Sequence, residues 1–243
     1  DYFSVTFGAL GLSQNDTFDT VADLSENTKI PIIPHLTCVG IDKKQVTDLL
    51  DEYIAQGVNQ IMVLKGDYPK TIIKKGDFNY ANEMVEFIKE NYFDINILVA
   101  AYPEKHPHSN CISTDIDFFV NKVNAGADKA VTQYFYNIDA YLHFIEEVQK
   151  RNIDIPITPG IMPITNYDQL IYFSKACGAE IPAWILNKLK LYKNDLNSLK
   201  EFGEDVVSEM CLKLKDNGVS SFHFYCLNKA EPTLSIVKKL LKN

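Results

Sequence analysis

Arginine is nearly missing from this chain of 243 residues, where Arg151 stands alone. Lysine and arginine together number 24 against 32 acidic residues, a formal charge of -8. A nucleic-acid surface needs clustered cations, so that class of partner is excluded, and an anionic ligand would have to be met by local lysines and backbone N–H groups. Paired cysteines are also lacking. Cys38, Cys111, Cys177, Cys211 and Cys226 are odd in number, scattered, and contain no C-x-x-C, which points to a reduced, cytoplasmic protein. No apolar run approaches the roughly 18 residues of a membrane span, and Asp1-Tyr2-Phe3-Ser4-Val5 has no basic leader, so neither membrane nor signal peptide is expected. No Gly-x-Gly-x-x-Gly follows any strand-like run, which speaks against an open dinucleotide-binding sheet.

What is present is ordinary globular material, 46% hydrophobic and 23% charged, enough for one large domain over residues 1–243. Short apolar runs alternate with amphipathic stretches. Strands are expected at 2–7, 30–38, 61–64, 95–101, 129–136, 155–164 and 219–227. Helices are expected at 17–26, 42–56 with Gly57 at its end, 80–92, 114–125 with Gly126 as a stop, 138–151 and 167–177. Two or three more fall within 183–214, and a last one at 232–241. This gives seven βα units in strict alternation, hence an α/β protein with a parallel sheet. A (β/α)8 TIM barrel closes with eight strands. The expectation is therefore such a barrel with its first βα unit absent from this chain.

The run Ile61-Met62-Val63-Leu64 stops at Lys65-Gly66-Asp67, a charge pair around a residue without a side chain. Charges at the end of a buried strand cost free energy unless something uses them, and glycine allows close backbone approach. In a barrel, strand ends converge on one face. The set that would meet there is Thr6, His35, Lys65, Asp67, Tyr102, His106, Gln133, Tyr225 and Lys229, rich in hydrogen-bonding groups. Glu104-x-His106-x-His108 lacks a further ligand, so no metal is expected. Lys65 could form a Schiff base, as in barrel aldolases, but Asp67 beside it would hold it charged. On the helix that follows, Asp115, Phe118 or Phe119, and Lys122 share one face; a carboxylate there suits sugar hydroxyls and an ammonium suits phosphate, unless both are solvated surface charges.

Several short stretches, in order along the chain, resemble bacterial-type methylenetetrahydrofolate reductases. They include Ser4-Val5-Thr6-Phe7-Gly8-Ala9, Pro34-His35-Leu36-Thr37-Cys38, Leu64-Lys65-Gly66-Asp67, Ala101-Tyr102-Pro103-Glu104, Thr132-Gln133, Pro159-Gly160-Ile161-Met162-Pro163, Ile181-Pro182-Ala183-Trp184 and Phe222-His223-Phe224-Tyr225. The resemblance implies a barrel that holds FAD non-covalently and reduces methylenetetrahydrofolate to methyltetrahydrofolate with NADH or NADPH, by ping-pong hydride transfer in one-carbon metabolism and methionine synthesis. It implies that Thr6, His35, Leu64, Lys65, Gly66, Asp67, Tyr80, Ala81, Tyr102, His106, Asp115, Lys122 and Val131 line the flavin. By the same resemblance Gln133, Gln169, Phe173, Tyr225 and Lys229 meet folate or nicotinamide, Asp67 is catalytic, and the subunits form a homo-oligomer.

The chain departs from the family pattern in three ways. Lys65 and Lys229 stand where relatives often carry arginine, keeping the charge but losing the bidentate fork. Phe118 and Asn121 replace polar and cationic residues on the flavin helix. The general-acid glutamate of the family belongs to the first unit, so no acid is assigned here. A Schiff-base aldolase built on Lys65 and a flavin-binding barrel without folate reduction are the alternatives.

Overall fold

The computed structural model describes residues 1–7, 14–66 and 76–242, residues 14–16 by their backbone only. Asp67 therefore lies outside the described residues. The described elements follow the expected alternation: β1 (Phe3–Val5), α1 (Gln14–Asn27), β2 (Ile32–Thr37), α2 (Lys43–Ala55), β3 (Gln60–Leu64), α3 (Ala81–Asn91), β4 (Asn96–Ala101), α4 (Ile112–Asn124), β5 (Lys129–Thr132) and α5 (Ile138–Gln149). The remainder is β6 (Ile157–Thr158), β7 (Gly160–Ile161), α6 (Tyr167–Cys177), α7 (Ala183–Leu191), α8 (Leu196–Asp216), β8 (His223–Phe224) and α9 (Ala230–Lys242). The hydrogen-bonded strand order is β1-β2-β3-β4-β5-β6, while β7 and β8 pair separately. None of the described helices is long and apolar enough to cross a membrane.

The chain divides into two compact units, residues 1–100 with 119–130, and residues 101–118 with 131–243. In the first, β1–β2, β2–β3 and β3–β4 all pair in parallel. The centres of these strands are buried and apolar, with Ile33, Leu36, Ile61, Val63, Ile97 and Val99 at 1% exposure or less. Burying each such side chain stabilises the fold by about 1.5–3 kcal/mol before entropy is counted. Pro34 lies inside β2, where a missing N–H would break a ladder. The register shows how it is accommodated: residues 32–34 of β2 pair with β1, and residues 35–37 pair with β3, so the proline falls where the strand changes partner. Helix α2 begins with a capping box, Asp42 accepting from the Gln45 N–H at 2.9 Å and Gln45 Oε1 from the Asp42 N–H at 3.0 Å.

The second unit is built differently. The single strand expected over 155–164 is two strands of two residues each, placed in different sheets, with Pro159 between them. Proline has no N–H to continue a ladder, and here its carbonyl accepts from His223 N instead, at 3.0 Å. The expected strand at 219–227 shrinks to His223–Phe224, and the two or three helices expected over 183–214 are two, α7 and α8. Most of this unit's core comes from Tyr134, Phe135, Tyr136, Ile161 and the inner face of α8. Tyr141 stacks on Phe135 with centroids 5.1 Å apart.

Candidate functional site

In the first unit, the ends of β1, β2 and β3 carry the predicted polar residues. Thr6 is exposed and its carbonyl accepts from Thr17 Oγ1 at 3.0 Å, so α1 anchors the residue after β1. His35 is buried at 8% exposure on β2. The β3 end is tied to β2 by the Cys38 N–H donating to the Leu64 carbonyl at 3.1 Å. Beyond it Lys65 is exposed and its Nζ lies 5.0 Å from the centre of the half-exposed Tyr80 ring, a cation–π pair at the start of α3.

Gly66 has φ +78, and a Cβ there would meet Thr37 Cβ at 2.9 Å, which accounts for the residue type. Ala81, the first residue of α3, is buried, while Glu83 Oε2 accepts from the backbone N–H groups of Asn79 and Tyr80 at 2.6 and 3.3 Å. Lys122 does not project freely: its ammonium donates to the Ala100 carbonyl at the end of β4 and lies over the Phe119 ring.

In the second unit, Tyr102 and His106 meet edge to face at 4.7 Å. Asp115 fastens the turn that carries them, Oδ2 accepting from His106 N at 2.9 Å and Oδ1 from Ser109 Oγ at 2.6 Å. The solvated-charge reading of Asp115 and Lys122 thus gives way to a different one, in which each holds backbone in place. Glu104 and His106 turn to different partners, Glu104 to the Glu180 N–H at 2.8 Å.

Val131 is buried in β5. Just past β5, Gln133 N donates to the Ala101 carbonyl at 2.7 Å, and its side-chain oxygen accepts from Tyr134 N at 3.0 Å, which leaves its amide N–H groups as the donors available to a ligand. Tyr225 donates to the Thr132 carbonyl at 2.9 Å and packs against Tyr134 and His223. Gln169 sits three residues past the α6 cap residue Asn166, whose side chain accepts from its N–H at 2.8 Å. Phe173 is half-buried one turn further on, against Tyr172. Lys229 is exposed and lines a cavity of about 580 Å³ with Asn166, Lys200 and Ser235. Of the five expected substrate residues, it is the one that reaches that cavity.

Tyr134 was not foreseen from the sequence, and Glu104 was weighed there only as part of a metal-like pattern and of a family-like stretch. Tyr134 is buried beneath Gln133 with its hydroxyl 3.1 Å from Ser174 Oγ, and burial drives its phenol far above the ordinary range. Glu104 is pushed up to about 7, first by burial, against the lowering effect of the Glu180 N–H and with the Glu180 charge adding to the rise. For Tyr134 the position just past the end of β5 was the available signal.

Each unit of this α/β protein thus carries polar groups and aromatic rings at its strand ends, imidazole and ammonium in the first, carboxyl, amide and phenol in the second. The family model for methylenetetrahydrofolate reductase matches residues 1–241. Among curated proteins, the 5,10-methylenetetrahydrofolate reductase of Buchnera aphidicola subsp. Acyrthosiphon pisum is 37% identical over 238 residues, covering 97% of this chain and 80% of that one. The enzyme of the same name from Escherichia coli K12 is 33% identical over 239 residues, covering 98% of this chain and 80% of its own. The chain belongs to the methylenetetrahydrofolate reductase family, whose members are oxidoreductases. Among solved structures, an uncharacterized protein from Clostridium thermocellum described as binding two copies of 5-methyl-5,6,7,8-tetrahydrofolic acid covers 99% of this chain and 95% of its own, with TM-score 0.62. At 15% identity that likeness speaks to fold alone.

Proposed function

We propose that this chain reduces methylenetetrahydrofolate to methyltetrahydrofolate at the expense of NADH or NADPH, with FAD as a tightly held, non-covalent cofactor on a single (β/α)8 barrel. Family membership is the observation that carries this reading. The donor set fits a flavin: the exposed Lys65 ammonium beside Tyr80 suits its phosphates, and Thr6, His35, Tyr102 and His106 combine hydrogen-bonding groups with ring faces. Leu64, Gly66, Ala81 and Val131 would supply backbone and apolar contact, with Asp115 and Lys122 holding the backbone around them. When bound, the flavin supplies a carrier for hydride between nicotinamide and folate, chemistry that no side chain can perform.

The residues of the chain bind and orient. Gln133 presents amide donors suited to a pterin carbonyl. Phe173 offers a ring face, and Gln169, Tyr225 and Lys229 would fix the remainder of whichever substrate is present, the two occupying the same place in turn. Asp67, as a carboxylate, would favour the cationic iminium formed when the folate ring opens. An aldolase reading is less well supported, because a Schiff-base lysine is activated by desolvation or a neighbouring cation, and Lys65 is exposed. Homo-oligomers and a cytoplasmic location accord with this role.

The deciding experiment is the visible spectrum of the purified protein. Flavin bands that bleach with NADH or NADPH and return on adding methylenetetrahydrofolate are expected. Bleaching without return would leave a flavin-binding barrel with no folate activity, and a colourless protein that gains no flavin on addition would sink the reading. In stopped-flow measurements Asp67→Asn is expected to slow the folate half-reaction by about 100-fold, with a smaller effect on the nicotinamide half-reaction. Equal losses in both would remove the role given to Asp67.

A further inference from the structure

The turn between β4 and α4 is held more firmly than its length requires. Asp115 accepts from His106 N and Ser109 Oγ, and Lys105 Nζ donates to the Ser109 carbonyl at 2.7 Å. At its centre Lys105 has φ +136, a conformation that L residues keep only when the surroundings impose it. Glu104 supplies the remaining tie. One carboxyl oxygen, Oε2, accepts from Glu180 N at 2.8 Å, just past the end of α6. The other, Oε1, is fully covered and has no hydrogen-bond partner among the described residues. Beside it is a void of about 10 Å³ bounded by Tyr102, Gln133, Tyr134 and Cys177. A space of that size takes about one water at most, far less than an ionised carboxylate requires.

The titratable groups around Glu104 do not relieve it. Glu180 adds a like charge, burial keeps the Tyr134 phenol neutral, Cys177 brings a thiol, and the Lys105 ammonium is turned to Ser109.

We propose that Glu104, in its neutral form, is a positioning residue: it latches the turn bearing Tyr102 and His106 to the segment after α6, and so holds those two rings in the pose the flavin meets. This rests on the functional reading above. Its chemistry has a defined sign. The folded chain keeps the proton up to about pH 7, whereas the unfolded chain loses it near the ordinary 4.5. The latch is therefore at full strength at low pH, and its contribution is lost as pH rises through about 7.

The test compares the wild type, Glu104→Gln and Glu104→Ala, with FAD affinity read by quenching of flavin fluorescence at pH 6 and pH 8.5. The wild type is expected to weaken by about tenfold at the higher pH, as the competent fraction falls. Glu104→Gln, which mimics the neutral acid, should bind at both pH values as the wild type does at pH 6, and Glu104→Ala should bind weakly at both. A Glu104→Gln chain that keeps the wild-type pH dependence, or a wild type whose FAD affinity is the same at both pH values, overturns the proposal alone. A wild type that binds no FAD at either pH overturns the functional reading and the positioning role with it. The thermal midpoint of the flavin-free chains supplies a readout that does not depend on the cofactor: it should fall from pH 5.5 to 8.5 more steeply in the wild type than in Glu104→Gln, and equal slopes would dispose of the latch itself.

Discussion

In the first unit β2, β3 and β4 run for five or six residues with largely apolar, buried centres, whereas in the second β6, β7 and β8 have two residues each. The first unit relies on side-chain volume: Ile33, Leu36, Val63 and Ile97 fill it, and few polar atoms need partners. The second relies on close backbone contact and on individual hydrogen bonds to buried polar groups. Gly160 N donates to Thr132 Oγ1 at 2.9 Å, and the Tyr136 hydroxyl donates to the Met162 carbonyl at 3.1 Å. A sheet with long ladders tolerates local imprecision, because each residue contributes a small share. Short strands held by single hydrogen bonds do not, and the second unit should be brittle where the first is merely sensitive.

The sharpest way to break that contrast is Gly160→Ala. A Cβ there would stand 2.1 Å from the Thr132 carbonyl oxygen and 2.6 Å from Tyr225 Cε2, and the backbone atom cannot yield. A loss of about 3 kcal/mol or more is expected by urea denaturation. A near-neutral result would show that β7 has room to move, and the distinction between the units would go. Close behind is Leu36→Ala in the first unit, fully buried at 1% exposure, with an expected cost of about 3 kcal/mol from lost burial and the cavity left behind. There the sheet should survive with unchanged circular dichroism. Loss of cooperative unfolding instead would mean that the first unit is no more forgiving than the second.

The pH response sharpens the comparison further. Burial pushes His223 down to about 4 from an ordinary 6.5, so it is neutral in the folded protein. Below pH 6.5 the unfolded chain gains a proton that the folded chain refuses. Stability is thus present above that value and lost as pH falls toward 4, on the order of 2 kcal/mol. Urea midpoints measured from pH 7.5 to 4.5 should fall less steeply in His223→Phe than in the wild type, and parallel slopes would show that His223 is not the cause. The smallest expected effect is Tyr136→Phe, about 1–2 kcal/mol, because the Met162 carbonyl loses its buried donor. Burial drives the Tyr136 phenol far above its ordinary range, so this hydroxyl is a donor at every accessible pH, and its contribution should be the same at pH 6 and pH 9.

Legibility followed the same division. In the first unit β2 and β3 were readable from apolar runs alone, to within one or two residues, since burial on both faces leaves little else for Ile61-Met62-Val63-Leu64 to be. Helix ends were readable where the residue type signals them, as at Asp42 and at Gly126, which takes φ +115. In the second unit the run at 155–164 reads as one strand because hydrophobicity does not reveal that Pro159 hands its neighbours to different partners. At the candidate site, the residue types at strand ends could be anticipated from order along the chain, whereas the contact of Lys65 with Tyr80 at the start of α3 came only with the structure. The engagement of Lys122 with Ala100 could not be anticipated either, because an amphipathic pattern says which face a lysine shares but not which carbonyl lies within its reach.

Composition and periodicity suffice for the α/β class and the alternation of units, and the order of short motifs along the chain for the resemblance to a family, because these depend on which residues neighbour each other in sequence and on how often apolar ones recur. Protonation and partnership depend on distance in space. That Glu104 Oε1 has no hydrogen-bond partner among the described residues, that Asp115 secures a turn, and that Gln133 spends its side-chain oxygen on the Tyr134 N–H are consequences of packing, where a few tenths of an ångström decide whether a polar atom finds a donor or is left without one.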